Sequence, residues 1–168
     1  MEELMINLET VNEQYGRLVE LSMKKTPVII SADLETLSKI TDDEQEIVTK
    51  INRLDKERQV NMQDIANVIN TDVKSLKLVD LIEMLKNRPE EQKRLATVYD
   101  KLTDTIAQMK RVNEQNRMLI ESSLEMVQFD MNVIQAYKAA PETANYNSGA
   151  YTSGTMMGGD MGVFDAKQ

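Results

Sequence analysis

The chain of 168 residues contains no cysteine, no histidine and no tryptophan, and aromatic residues make up only 4% of it. Without imidazole or thiolate side chains it lacks the usual general base, the usual thiol nucleophile and the common zinc ligands. A di-iron site in a helical bundle would need Glu-x-x-His pairs, which a chain without histidine cannot supply. The composition therefore argues against an enzyme, and we expect no catalytic residue, no metal and no cofactor.

Residues that interrupt helices are scarce before the last thirty positions. Five of the six glycines follow residue 148, and the prolines stand at positions 27, 89 and 141. Such a composition favours long helices. We expect an all-α fold, an elongated antiparallel hairpin or bundle of three long helices and one short helix. The helical domain should span residues 1–138, and residues 139–168, rich in glycine, methionine and tyrosine, should form a disordered tail.

The charge and the hydropathy pattern exclude several classes of partner. The formal net charge of −8 disfavours nucleic acid and anionic membrane surfaces, because their phosphates would be repelled. No apolar run approaches the roughly 20 residues that a membrane span requires. The first residues, MEELMINLE, lack the basic and apolar regions of a signal peptide. We therefore expect a cytoplasmic protein that does not insert into membranes.

The first predicted helix carries an apolar stripe in steps of four and three, from Leu4 to Ser22. Lys24 and Lys25 suit a helix C-terminus, and Pro27 follows them, so the pattern predicts that this helix ends before Pro27. Residues 28–30 are then expected to lie in a connector and to cover one end of the bundle.

The second predicted helix can be capped by Asp33 or Ser31, and its stripe continues to Ile69. The segment Thr41–Glu44 is itself a capping-box pattern, so a break near residue 40 is an alternative to the continuous helix that we favour.

Two further helices complete the pattern. A short helix of two or three turns includes Leu78 and Leu85 and is stopped by Asn87 and by Pro89. Pro89 fits the first turn of the last helix, which should run to about Lys138.

Two asparagines interrupt the apolar stripe of this last helix, in the stretch RVNEQNRMLIESSLEMV. The steps of four and three place Asn113 and Asn116 in consecutive layers of the buried seam. A buried amide costs roughly 1–3 kcal/mol unless it is hydrogen-bonded, so both side chains need polar partners.

The second helix could supply those partners if it packs antiparallel to the last one, and Arg58, Glu44 and Asn61 are the candidates. A polar layer of Asn113, Asn116 and Arg58 would penalise slipped registers, the best-attested use of buried asparagine in coiled coils. The alternative is that both asparagines face a groove and bind the backbone of a partner.

Beyond Asn116 the apolar residues spread over a wider arc than one neighbouring helix can cover. Leu119, Met126 and Val133 lie on one side of the seam, and Leu124 and Met131 lie on the other. The first helix and its connector could cover this arc, or a second subunit or a client protein could do so.

The order of these features resembles the FlgN family, cytoplasmic flagellar export chaperones for the hook–filament junction proteins. The matching stretches are DLETLSKITDDEQEIVTKINRLDKERQ (Asp33–Gln59), LVDLIEML (Leu78–Leu85) and NEQNRMLIESSLEMVQ (Asn113–Gln128). The N-x-x-N-x-x-L-I arrangement is the most specific of them. The tail, with its YNSG and YTSG repeats, is also similar to family tails.

The resemblance implies a helical protein that binds the C-terminal helical region of its clients, holds them unassembled and brings them to the flagellar export gate. The client surface implied by the family is formed by residues near the end of the last helix: Asn116, Leu119, Ile120, Ser123, Met126, Val127, Asp130, Val133 and Ile134. A tail tyrosine, Tyr146 or Tyr151, would engage the export gate. The oligomeric state, monomer or homodimer, stays open. The alternative function is a homo-oligomeric coiled-coil spacer or adaptor without a client.

Overall fold

The computed structural model of the protein describes residues 1–139. Its elements are α1 (Glu2–Ile30), α2 (Leu34–Val68), α3 (Leu78–Met84), a 3₁₀ turn (Leu85–Asn87) and α4 (Pro89–Ala139). Within residues 1–139 there is no strand, so the predicted all-α class with three long helices and one short helix is confirmed. Residues Met1–Asp130 form one compact unit. A second unit begins at Met131, and its described residues, 131–139, are the last turns of α4.

The three long helices run up, down and up. The Asn7 side chain donates from Nδ2 to the carbonyl of Leu54 at 3.0 Å, and Ser22, later in α1, donates to Glu44, earlier in α2, at 2.9 Å. Helices α1 and α2 are therefore antiparallel neighbours. Arg94 of α4 donates to Glu9 of α1. Thr105, later in α4, donates its hydroxyl to Oδ1 of Asn12, later in α1, at 2.9 Å. Helix α4 therefore runs parallel to α1 within the Met1–Asp130 unit.

Two apolar clusters hold this arrangement together. The first joins all four helices at the end where α1 begins, and its buried residues are Leu4, Met5, Leu8, Met62, Ala66, Leu76, Leu81, Leu85, Leu95 and Val98. The second lies further along α1 and joins Leu18 and Val19 to Ile51 of α2 and Met109 of α4. Because α3 and the 3₁₀ turn contribute to the first cluster only, that end of the bundle has the larger core.

Helix α1 continues through Pro27 to Ile30, so the predicted end before Pro27 is wrong. A proline in a helix lacks an N–H donor and crowds the carbonyls of the preceding turn, but burial of Ile29 and a closed C-terminal turn offset that cost. In this turn the N–H of Asp33 donates to the carbonyl of Val28 at 3.2 Å, and the N–H of Ala32 donates to the carbonyl of Ile29. This pattern is a Schellman motif, and Ala32 takes the left-handed conformation (φ 54°) that glycine usually occupies there.

Helix α2 is continuous, without a break near residue 40. Its N-cap is Asp33, whose carboxylate accepts from the backbone N–H of Thr36 at 3.1 Å and from its hydroxyl at 2.6 Å. These hydrogen bonds lower the pKa of Asp33 below its ordinary value. The short helix and the start of α4 at Pro89 also agree with the sequence pattern, and α4 ends at Ala139, one residue past the predicted end.

Charged side chains tie the beginning of α4 to α1. The Arg94 guanidinium donates to Glu2 at 2.6 Å and to both carboxylate oxygens of Glu9, at 2.9 and 3.0 Å. The hydrogen bond from Arg94 lowers the pKa of Glu9 below its ordinary value. Arg94, Glu2 and Glu9 are solvent-exposed, so we regard these two ion pairs as a constraint on geometry and not as a large source of stability.

The first cluster should carry most of the folding free energy of the bundle. Replacing Leu8, which has no exposed surface, by alanine should lower the free energy of unfolding by about 2–5 kcal/mol because the substitution leaves a cavity. Val68→Ala, at a residue that is 86% exposed, is the matched control and should change it by less than about 0.5 kcal/mol. Urea unfolding followed by circular dichroism measures both, and equal effects would contradict the proposed location of the core.

Candidate functional site

A buried polar layer crosses the bundle just beyond the second cluster, and Asn116 of α4 is its centre. Asn116 is 4% exposed. Its Nδ2 donates to the backbone carbonyl of Ser22 at 2.7 Å, and its Oδ1 accepts from the hydroxyl of Thr26 at 2.7 Å. Because a carbonyl can only accept, the amide must point its NH2 group at Ser22. Both polar groups of this side chain are therefore engaged with α1.

The layer continues from α1 to α2 through Ser22, which has no exposed surface. The Ser22 hydroxyl donates to Glu44 Oε1 at 2.9 Å, and Glu44 Oε2 is 2.5 Å from the ammonium group of Lys25. The Lys25 and Glu44 side chains are only 17% and 15% exposed. A largely buried carboxylate needs such partners, because an unpaired charge there would be strongly destabilising. The layer thus connects all three long helices.

Asn113 and Arg58 do not play the part that the sequence predicted for them in this layer. Asn113 is exposed, and its Oδ1 lies 3.2 Å from the Ser22 hydroxyl at the edge of the layer. Arg58 donates to Asp55 of its own helix, at 2.8 and 2.9 Å, instead of to either asparagine. The expectation that α2 supplies the main partners of the asparagines is therefore wrong. Helix α1 supplies them, because it is α1 that lies parallel beside α4.

Past the polar layer, α4 presents apolar side chains to solvent. Leu119 is half-buried and Ile120 is 36% exposed, and every residue from 121 to 130 is exposed. The large apolar residues exposed along α4 are Met118, Ile120, Leu124, Met126, Val127, Phe129, Met131, Val133, Ile134 and Tyr137. The alternative in which α1 and its connector cover the wide arc does not hold in the described structure. We call the apolar residues of this arc that lie in the Met1–Asp130 unit the open face: Leu119, Ile120, Leu124, Met126, Val127 and Phe129.

The residues predicted to bind a client divide into two groups. Asn116 is buried, and both its Nδ2 and its Oδ1 are hydrogen-bonded to α1, so it does not belong to an accessible surface. Ser123 is exposed and donates its hydroxyl to the carbonyl of Leu119 in its own helix, at 2.8 Å. Asp130 is exposed, as are Met126 and Val127, and in the described part of the second unit so are Val133 and Ile134. Tyr146 and Tyr151 lie outside the described residues, as does the predicted tail beyond Ala139.

The polar side of α4 opposite the open face carries its own ion pairs. The Arg117 guanidinium donates to both carboxylate oxygens of Glu114, at 2.6 and 3.1 Å, and to Glu121 at 3.2 Å. The hydrogen bond from Arg117 lowers the pKa of Glu114. These pairs are three and four residues apart, which is the spacing that supports an isolated helix. One side of α4 is thus suited to water, and the other is suited to an apolar partner.

Sequence reasoning missed the two α1 residues that hold Asn116. In the sequence, Ser22 is the last residue of the apolar stripe of the first helix, and Thr26 directly precedes Pro27, which predicted the helix end. The available signal was the presence of small polar residues at the end of the apolar stripe, shortly before a helix-breaking proline. It indicates a polar layer between helices, but it does not identify the helix that faces it.

An exposed apolar face on a preformed helix is a surface on which another amphipathic helix can pack. None of the helices within residues 1–139 is long and apolar enough to cross a membrane. Among known families, the FlgN protein family model matches residues 1–154. The chain therefore belongs to the FlgN family, which is a family of flagellar export chaperones and not of enzymes. Comparison with curated proteins and with solved structures gave no match.

The burial of the two asparagines predicts unequal effects of their removal. Asn116→Ala removes the hydrogen bonds that Asn116 makes with the Ser22 carbonyl and the Thr26 hydroxyl and leaves these two groups only their 3.4 Å contact with each other, so it should lower the free energy of unfolding by about 1–3 kcal/mol. Asn113→Ala, on the exposed edge of the same helix, should change it by less than about 0.5 kcal/mol. Thermal and urea unfolding of the two variants measure this difference. A larger effect at Asn113 would contradict the assignment of Asn116 as the centre of the layer.

Proposed function

We propose that this chain binds the C-terminal helical region of hook–filament junction proteins on the open face of α4, keeps them unassembled and delivers them to the flagellar export gate in the cytoplasm. Membership of the FlgN family supports the choice of client. The exposure of Leu124, Met126 and Phe129 on one long helix is the observation that carries the choice of surface. Val133 and Ile134, which the sequence also predicted to bind the client, are exposed in the described part of the second unit.

Physical reasons favour this surface for a helical client. Proteins that later assemble through terminal helices must expose an apolar helix face beforehand, and another apolar helix face can cover it. Methionine side chains adapt to differently shaped partners, and Met126 of the open face is exposed. Binding of this kind needs no catalytic group. Release at the export gate requires only that the gate competes successfully for the client.

Introducing a charge into the open face should weaken client binding and leave the fold intact. Met126 is 66% exposed, so Met126→Asp should change the free energy of unfolding by less than about 0.5 kcal/mol. The new carboxylate would have to lose water on binding, so the dissociation constant for the client segment should rise at least about tenfold. Isothermal titration with the purified C-terminal helical segment of a junction protein measures this constant.

Met126→Leu is the matched control, because it keeps an apolar side chain at the same position. It should bind the client within about threefold of the unaltered chain. If Met126→Asp also bound normally, the open face would not be the client surface. If Met126→Asp unfolded the protein, this position would belong to a core.

The proposed role of the tail can be separated from client binding. We propose that Tyr146 or Tyr151 engages the export gate, as the family resemblance implies. A chain that ends at Lys138 should then still recover junction proteins from cytosol but lose export-gate components. Tyr146→Ala and Tyr151→Ala, compared singly, identify which tyrosine acts. Affinity purification followed by mass spectrometry gives the result, and unchanged recovery of gate components by the shortened chain would contradict the proposal.

A homo-oligomeric spacer is the second candidate, and the same open face supports it, since a second copy of the chain could cover these residues. Affinity purification that recovers only the chain itself, together with a dimer that Met126→Asp dissociates, would favour the spacer over the chaperone.

A further inference from the structure

The polar layer stands at the boundary between the packed part and the open part of α4. On one side, Met109 packs in the second cluster, and on the other side every residue from 121 to 130 is exposed. Asn116 lies between them and hydrogen-bonds α1 with both ends of its amide. A change in the rotation or register of α4 at Asn116 would therefore redirect the whole open face.

The polar layer adds a penalty against shifted registers of α4. Ser123 lies seven residues after Asn116, so a shift of α4 by seven residues would bring Ser123 to the place of Asn116. In that shifted register Asn116 would take the place of Met109 among Leu18, Val19 and Ile51, all buried apolar residues. The amide would then be buried without its partners, which penalises the shift.

Hydrogen bonds depend on direction as well as distance, whereas apolar contacts do not. The bond from Thr26 to Asn116 and the bond from Asn116 to the Ser22 carbonyl lie one helical turn apart on α1. Two hydrogen bonds to residues one turn apart on α1 define both the position of the Asn116 amide along the helix axis and its rotation about that axis. Lys25, on the same turn of α1, forms an ion pair with Glu44 of α2. Helix α2 therefore also fixes the position of the turn of α1 that binds Asn116.

We propose that Thr26 and Asn116 are positioning residues for client binding: their hydrogen-bonded layer fixes the register and rotation of α4 so that the open face stays outside the bundle. The proposal rests on the proposed function, because the open face matters only if it binds a partner. The two side chains act through the direction of α4, and the client itself contacts the residues beyond them.

Thr26→Val tests the proposal, because valine has nearly the shape of threonine but lacks the hydroxyl that donates to Asn116. Hydrogen exchange should speed up about tenfold for backbone amides in residues 22–30 and 113–120 and stay unchanged for residues 4–8 in the first cluster. The dissociation constant for the purified client segment should rise about fivefold or more. Thr26→Ser keeps the hydroxyl and should restore both values, and Asn113→Ala should match the unaltered chain.

The possible outcomes separate this proposal from the function on which it rests. Faster exchange with unchanged client affinity would mean that the layer is only structural, and unchanged exchange in Thr26→Val would mean that the hydroxyl anchors nothing. Either result would overturn the proposal and leave the chaperone function standing. If the unaltered chain failed to bind the client segment, the proposed function would be wrong, and this proposal, which rests on it, would be wrong as well.

Discussion

The two hydrogen bonds between the Asn116 amide and α1 are the interaction on which the rest of this structure depends. The apolar clusters before it bring three helices together, but apolar contact is non-directional and tolerates several arrangements. The amide tolerates few, because each of its groups must meet a complementary partner at a set distance and angle. Packing therefore supplies the stability of the bundle, and the Asn116 layer selects one alignment of α4 from those that packing allows. That alignment decides which residues of α4 face water.

Much of the fold follows from local patterns, since long stretches with few helix breakers and regular apolar steps leave little choice other than helices. The start of α4 at Pro89, the short α3 and the cap at Asp33 each rest on one or two neighbouring residues, and each could be predicted. The end of α1 could not. Pro27 is a stop signal in isolation, and the burial of Ile29 that offsets it comes from the tertiary structure.

The candidate site was predictable in its composition but not in its contacts. The sequence shows that the arc after Asn116 is wide and apolar, yet it cannot show whether anything covers that arc, because coverage depends on where α1 and α2 end. It also shows that a buried amide needs partners. Antiparallel packing pointed to Arg58 and other residues of α2, whereas the up-down-up order sets Ser22 and Thr26 of α1 beside α4. Which helix faces which is a property of topology, and a single stripe does not encode it.

The continuity of α4 has a consequence for how its exposed part stays helical. An isolated helix must first form a costly nucleus, and short helices in water are therefore marginal. In this chain the nucleus already exists, since the turns around Leu95 and Met109 are fixed by the clusters, and the turns beyond Asn116 only extend it. Each added residue then gains one hydrogen bond for one residue fixed, which is close to neutral or favourable for good helix formers, and the Arg117 ion pairs add further support. A partner that docks on such a helix meets a backbone ordered in advance, so little conformational entropy remains to be lost on binding.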